Sequence, residues 1–98
     1  MKIKKTTDNG ILSIAISDRI DTTTAPTFET ELKNSFDNIE SLILDFAEVN
    51  YISSAGLRVL LSAHKVMSKK GGMKLINVGE PIMEIFEVTG FNEILDIE

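Results

Sequence analysis

Two adjacent serines, Ser53 and Ser54, stand directly before a helical pattern that carries Gly56 in its first turn. A serine at that place has two open roles. It can cap the helix by accepting one of the N–H groups that the first turn leaves unpaired. It can also carry a phosphate, because those same N–H groups and the positive end of the helix dipole tolerate an anion. A phosphate adds a charge of about −1.5 to −2 at pH 7 and so transforms what can dock against it. Tyr51, Ile52 and Leu57 supply apolar surface beside the pair, part of which belongs to the core. Such a stretch suits a switch in binding.

Catalysis finds less support. The only histidine, His64, lies ten residues beyond Ser54 on the same expected helix, roughly 15 Å away at the rise of an α-helix. It falls on or near the apolar face and reads as structural, not as a base for a serine nucleophile. No Gly-x-Ser-x-Gly elbow, phosphate-binding loop or GxGxxG occurs. One histidine among scattered carboxylates has no ligand spacing, so neither a metal nor a cofactor is expected. The absence of cysteine excludes a thiol nucleophile, a thiolate metal site and a disulfide scaffold. A weak nucleotide site is the one small-molecule reading left open. Lys65, Lys69, Lys70 and Lys74 fit a solvated helix end and its turn better than a phosphate groove, and Phe28 and Phe36 stand at core spacing.

The 98 residues, 43% of them apolar, suit a single domain over residues 1–98 with one core. A formal net charge of −5 argues against nucleic acid or an anionic membrane surface as the main partner. No apolar run approaches the ~20 residues of a membrane span, and no signal-peptide pattern opens the chain, so a cytoplasmic protein without direct membrane insertion is expected.

The elements that must position the serines follow from period and punctuation. Residues 1–7 and 11–17 flank Asp8-Asn9-Gly10, whose Asn-Gly pair tolerates the positive φ of a tight hairpin turn. Ala25, Phe28, Leu32, Phe36 and Ile39 then follow helical spacing, with Thr24 as N-cap and Pro26 in the first turn. Leu42-Ile43-Leu44-Asp45-Phe46 reads as a central strand buried on both faces. Asp45 is expected at its end, ordering the serine loop by accepting backbone N–H bonds. A helix is predicted over 55–69, with Arg58, Ser62, Lys65 and Lys69 as its polar stripe. A strand over 73–78, a short helix stopped by Gly90 and a last strand over 94–97 complete the chain. The order β-β-α-β-α-β-α-β implies an α/β fold: a mixed, mostly parallel sheet of four to five strands entered by an antiparallel hairpin, with three helices and right-handed crossovers.

The segment 42–61, centred on Ser53-Ser54-Ala55-Gly56-Leu57, resembles the signature of the STAS domain, shared by bacterial anti-sigma factor antagonists and sulfate transporter tails. Arg19-Ile20-Asp21-Thr22, Gly71-Gly72 and Thr89-Gly90-Phe91 match in order, so the similarity spans nearly the whole chain. The resemblance implies a protein phosphorylated on the serine at the start of this helix by its own anti-sigma factor, an ATP-dependent serine kinase. The unphosphorylated form captures the anti-sigma factor and frees the sigma factor; a serine phosphatase resets the cycle. Aligned on Gly56 and Leu57, the acceptor falls on Ser54, with Ser53, where relatives often carry aspartate, as a minor acceptor. Ala55 fills a position that is often serine.

The acidic residue ahead of the first helix matches Asp21, expected near the acceptor. The implied switch and partner surface comprises Asp21, Thr22, Asp45, Ile52 and Ser53 on the entering side. Ala55, Gly56, Leu57 and Arg58 stand on the helix. The chain stops at Glu98, where many members carry a further helix, so part of the sheet face is expected to be uncovered or closed by another molecule. The alternative function is a constitutive binding module of the same fold, regulating a transporter or a larger signalling complex, in which Ser54 is only a cap.

Overall fold

Alternation of apolar and polar residues builds the first hairpin, and Asn9-Gly10 turns it. In the computed structural model, which describes all 98 residues, β1 (Lys2–Asp8) and β2 (Ile11–Ile20) pair antiparallel, with Lys2 opposite Ser17 and Asp8 opposite Ile11. Asn9 and Gly10 both take positive φ, 51° and 81°, as a two-residue hairpin loop requires. The chain continues through α1 (Ala25–Ser35), β3 (Ser41–Ile52), α2 (Ser54–Met67), β4 (Met73–Ile76), α3 (Glu80–Thr89) and β5 (Asp96–Ile97). The five strands lie in the order β1-β2-β3-β4-β5, and every pair after the hairpin is parallel. This is the α/β architecture that the element order implies.

Sequential strand order with right-handed crossovers puts all three helices on one face of the sheet. Burial follows. Leu12, Ile14 and Ile16 of β2, Leu42, Leu44 and Phe46 of β3, and Met73 and Leu75 of β4 are buried. The residues between them (Ser13, Ala15, Ile43, Asp45, Lys74 and Ile76) are only half-buried. The apolar run 42–46 is therefore covered on one side, not on both. Phe28 and Leu32 from α1, Leu60, Ala63 and Met67 from α2, and Ile82 and Phe86 from α3 fill the layer between helices and sheet. The rings of Phe46 and Phe86 meet at 6.4 Å, in the range of favourable tilted aromatic pairs. No helix is long and apolar enough to cross a membrane.

β3 departs most from expectation. It does not end at Asp45 but runs twelve residues to Ile52. Its pairing with β2 slips twice: Ala15 opposes Asp45 but Ser17 opposes Glu48, and Asp18 opposes Val49 but Arg19 opposes Tyr51. Each slip is a bulge holding one extra β3 residue. Asp45 Oδ1 accepts the Ala47 N–H at 2.9 Å and the Asn77 side-chain amide at 3.1 Å. It thus accepts a backbone N–H, but it secures the first bulge in mid-strand instead of the serine loop. Elsewhere the helical spacing through Ile39 outlasts the helix. α1 ends at Ser35, a single 3₁₀ turn spans Phe36–Asn38, and Ile39 enters the core from extended backbone. β4 stops before Asn77, whose φ of 57° leaves the strand region. A second 3₁₀ turn, Phe91–Glu93, takes up residues that the sequence pattern leaves to the approach of the last strand.

Candidate functional site

The two serines divide the roles that their shared residue type leaves open. Ser53 has extended backbone (φ −92°, ψ 175°), and its Oγ accepts the Gly56 N–H in a long 3.3 Å bond, so it is the N-cap of α2. Its own N–H donates to the Ile20 carbonyl at 2.8 Å, and its carbonyl accepts the Leu57 N–H at 2.9 Å. These bonds tie the helix start to the end of β2. Ser54 is the first residue of α2; it is exposed and its hydroxyl makes no hydrogen bond within the chain. Gly56 permits the close approach beneath. A Cβ there would lie 2.7 Å from both Ile20 Cγ2 and Ile52 Cγ1.

Asp21 organises the neighbouring turn. Its Oδ1 accepts the N–H groups of Thr23 and Thr24, each at 3.0 Å. The Thr24 hydroxyl donates to the Arg19 carbonyl at 2.8 Å and accepts the Asp21 N–H at 2.9 Å. Thr24 thus occupies the N-cap position of α1 without capping it by its side chain, because its hydroxyl is turned back onto the end of β2. Arg19 Nε approaches Asp21 Oδ2 at 3.4 Å, and its guanidinium lies 4.5 Å from the centre of the Tyr51 ring. The ends of β2 and β3 and the entry to α1 are joined in this way.

The Thr24 N–H is the chief cause holding the Asp21 carboxyl below its ordinary value. The Thr23 N–H, Arg19 and the Thr24 hydroxyl add to it, and partial burial opposes it. A carboxyl whose pKa is lowered by folding stabilises the folded state above its ordinary titration range and loses that contribution as pH falls through the lowered value. The amide resonances of Thr23 and Thr24 are therefore expected to hold their hydrogen-bonded shifts through the ordinary aspartate range and to move only at lower pH. A proton–nitrogen correlation titration reads this. Movement at the midpoint of an unperturbed aspartate would contradict it.

Between α1 and α2 lies an open hollow of about 250 Å³, lined by Thr22, Ala25, Pro26 and Glu29 on one side and Ala55, Arg58 and Val59 on the other. The structure thus gathers Thr22, Ala55 and Arg58 around one hollow, and Ser53 and Ser54 adjoin it through the start of α2. Asp21 stands next to Ile20, whose carbonyl holds Ser53. Ile52 and Leu57 are 2% and 7% exposed, and Gly56 is buried. These three support the site from below and have no surface to offer a partner. Asp45 lies away along the bulged strand. Arg19 and Glu29 complete the surface beyond the expected set, and Tyr51, expected as apolar surface beside the serines, lies exposed against the Arg19 guanidinium. Only the Arg-x-Asp spacing ahead of the first helix hints at Arg19, and nothing in the pattern brings Tyr51 onto it.

His64 points elsewhere. It lines a hollow of about 310 Å³ with the starts of β3 and β4 and the Gly71-Gly72 turn, and its Nδ1 is buried without a partner. No nucleophile–base pair forms with Ser54, ten residues back along α2. No three His, Asp or Glu side chains converge as a metal-binding group.

Known proteins share this fold. The STAS domain family matches residues 2–98. The anti-sigma-B factor antagonist of Bacillus subtilis is 32% identical over 87 residues, covering 88% of this chain and 80% of its own length. The crystal structure of an anti-sigma factor antagonist from Mycobacterium paratuberculosis superposes with a TM-score of 0.89 at 22% identity, over 98% of this chain and 83% of that one. The Bacillus cell fate determinant SpoIIAA, solved in its phosphorylated form, superposes with a TM-score of 0.76 at 12% identity, over 99% of this chain and 91% of that one.

Proposed function

Because the chain belongs to the STAS domain family, with non-enzymatic anti-sigma factor antagonists among its relatives, we propose that it binds an anti-sigma factor while Ser54 is unmodified and releases it when Ser54 carries a phosphate. The observation that carries this reading is the exposed Ser54 hydroxyl at the first position of α2, free of any bond within the chain, while Ser53 caps the helix. The anti-sigma factor is the serine kinase. Ser54 Oγ attacks the γ-phosphorus of its ATP, and the Oγ–P bond forms as the bond to the departing ADP oxygen breaks. The hydroxyl proton passes to a base of the kinase. A phosphatase reverses the state: water attacks the phosphorus, phosphate leaves and the hydroxyl is restored. That this fold can carry a phosphate is supported by the structure of similar fold solved in a phosphorylated form. The dipole and free N–H groups of α2 let the phosphate form without melting the helix. Ser53 is a poor acceptor because its Oγ is engaged with Gly56.

Incubation with a cognate anti-sigma factor kinase and ATP is expected to add the mass of one phosphate to the wild type and to Ser53→Ala, and none to Ser54→Ala. An unchanged mass in all three proteins would reject Ser54 as acceptor and favour a constitutive binding module.

A further inference from the structure

Ser54 and Arg58 stand four residues apart on α2, so they share a face one turn apart. Long side chains on a helix lean toward its N-terminus and cover the turn before their own Cα. Arg58 does so: its Nε reaches to 3.5 Å from the Ser54 carbonyl oxygen. Its guanidinium has no carboxylate within ion-pair distance, although most other charges nearby are engaged. Arg19 on β2 approaches Asp21 in the following turn at 3.4 Å and covers the Tyr51 ring of β3. Glu29 of α1, across the hollow, lies 3.9 Å from Lys33. Arg58 is left as an unpaired cation leaning over the residue that takes the phosphate.

We propose that Arg58 is a positioning residue of the phosphorylated state, its guanidinium closing on the oxygens of a phosphate on Ser54. The planar fork of an arginine matches two phosphate oxygens at once, and such charge-assisted bonds are the stronger kind. Ser54 and Ala55 stand in the first turn, where N–H groups have no carbonyl one turn back, so the phosphate meets donors from both sides. The same contact favours the dianion over the monoanion. This inference rests on Ser54 as the acceptor, but its test does not depend on a kinase.

Phosphoserine is incorporated directly at position 54 during synthesis of the protein, and its phosphorus resonance is followed against pH in the Arg58 protein, Arg58→Lys and Arg58→Gln. The second ionisation is expected about half a pH unit lower with Arg58 than with glutamine, the effect of one nearby cation at an exposed site. Lysine, which keeps the charge but loses the fork, is expected in between. The lysine variant also serves if the glutamine variant fails to fold. Coincidence of the arginine and lysine curves with the glutamine curve, or of arginine with lysine where glutamine is unfolded, would overturn the assignment. A protein that takes no phosphate from a kinase yet shows this shift would reject the proposed function and leave the Arg58 contact standing.

Discussion

Ser54→Asp is expected to bind the anti-sigma factor about 10²-fold or more weakly than Ser54→Ala, which itself stays near the wild type. The contrast follows from what the hydroxyl does in the free protein. It bonds to nothing within the chain, so its removal frees no buried donor, and alanine favours the helix. A carboxylate at the first position of α2 is welcomed by the helix dipole. Both variants therefore fold, and a loss of affinity in the aspartate variant belongs to the interface. There, a partner closing over the new charge strips its water, a desolvation cost of several kcal/mol that a surface pairing with Arg58 only partly offsets. Titration calorimetry with the purified partner at fixed salt gives the comparison. Equal affinities for the two variants would sink Ser54 as the switch.

Gly56→Ala is expected to destabilise the fold by up to about 2 kcal/mol, although alanine is the better helix former. Propensity alone favours the substitution by about 1 kcal/mol. Against it stand Ile20 and Ile52, 0% and 2% exposed, with methyl and methylene carbons 2.7 Å from the position of the new Cβ. The Ile20 carbonyl, at 3.2 Å, closes the third side. Overpacking of a tight core costs about 1–3 kcal/mol, so the clash wins. Relief requires α2 to lift from the ends of β2 and β3, which strains the Ser53 N–H bond to Ile20 and shifts Ser54. Denaturant unfolding measures the loss. A double-mutant cycle with Ile20→Ala, damaging alone, is expected to show less than additive destabilisation, because it removes one of the two side-chain carbons that the new methyl meets. A fully additive cycle would contradict the contact.

Much of this was legible in the residue pattern, and the failures have physical causes. Asn9-Gly10 announces the hairpin because few other pairs accept two positive φ values. Gly90 stops α3 in the left-handed conformation for a related reason. β3 was illegible beyond Phe46. Its two bulges turn alternation into a buried residue every third position at Phe46, Val49 and Ile52, a spacing that belongs to neither a strand nor a helix. The apolar run 42–46 reads as buried on both sides because Ile43, on the open face, is as apolar as its covered neighbours. At the site, residue type placed two serines at a helix start but could not apportion them. That depends on the extended backbone of Ser53, whose N–H is held by the Ile20 carbonyl, a contact distant in the sequence. Thr24 misleads similarly: threonine is a good cap, but its hydroxyl donates to the Arg19 carbonyl and accepts the Asp21 N–H instead of serving the first turn of α1.

The bulges of β3 come as a pair, and each keeps the strand facing the core. Ile14 lies opposite Leu44, an offset of thirty positions, whereas Ile20 lies opposite Ile52, an offset of thirty-two. Strand side chains point alternately up and down, but each bulge sets two neighbours outward together, Ala47 with Glu48 and Asn50 with Tyr51, so Phe46, Val49 and Ile52 all stay inward. The strand thus gains two residues over its neighbour without losing its phase, and it delivers Ile52 beneath Gly56 at the start of α2.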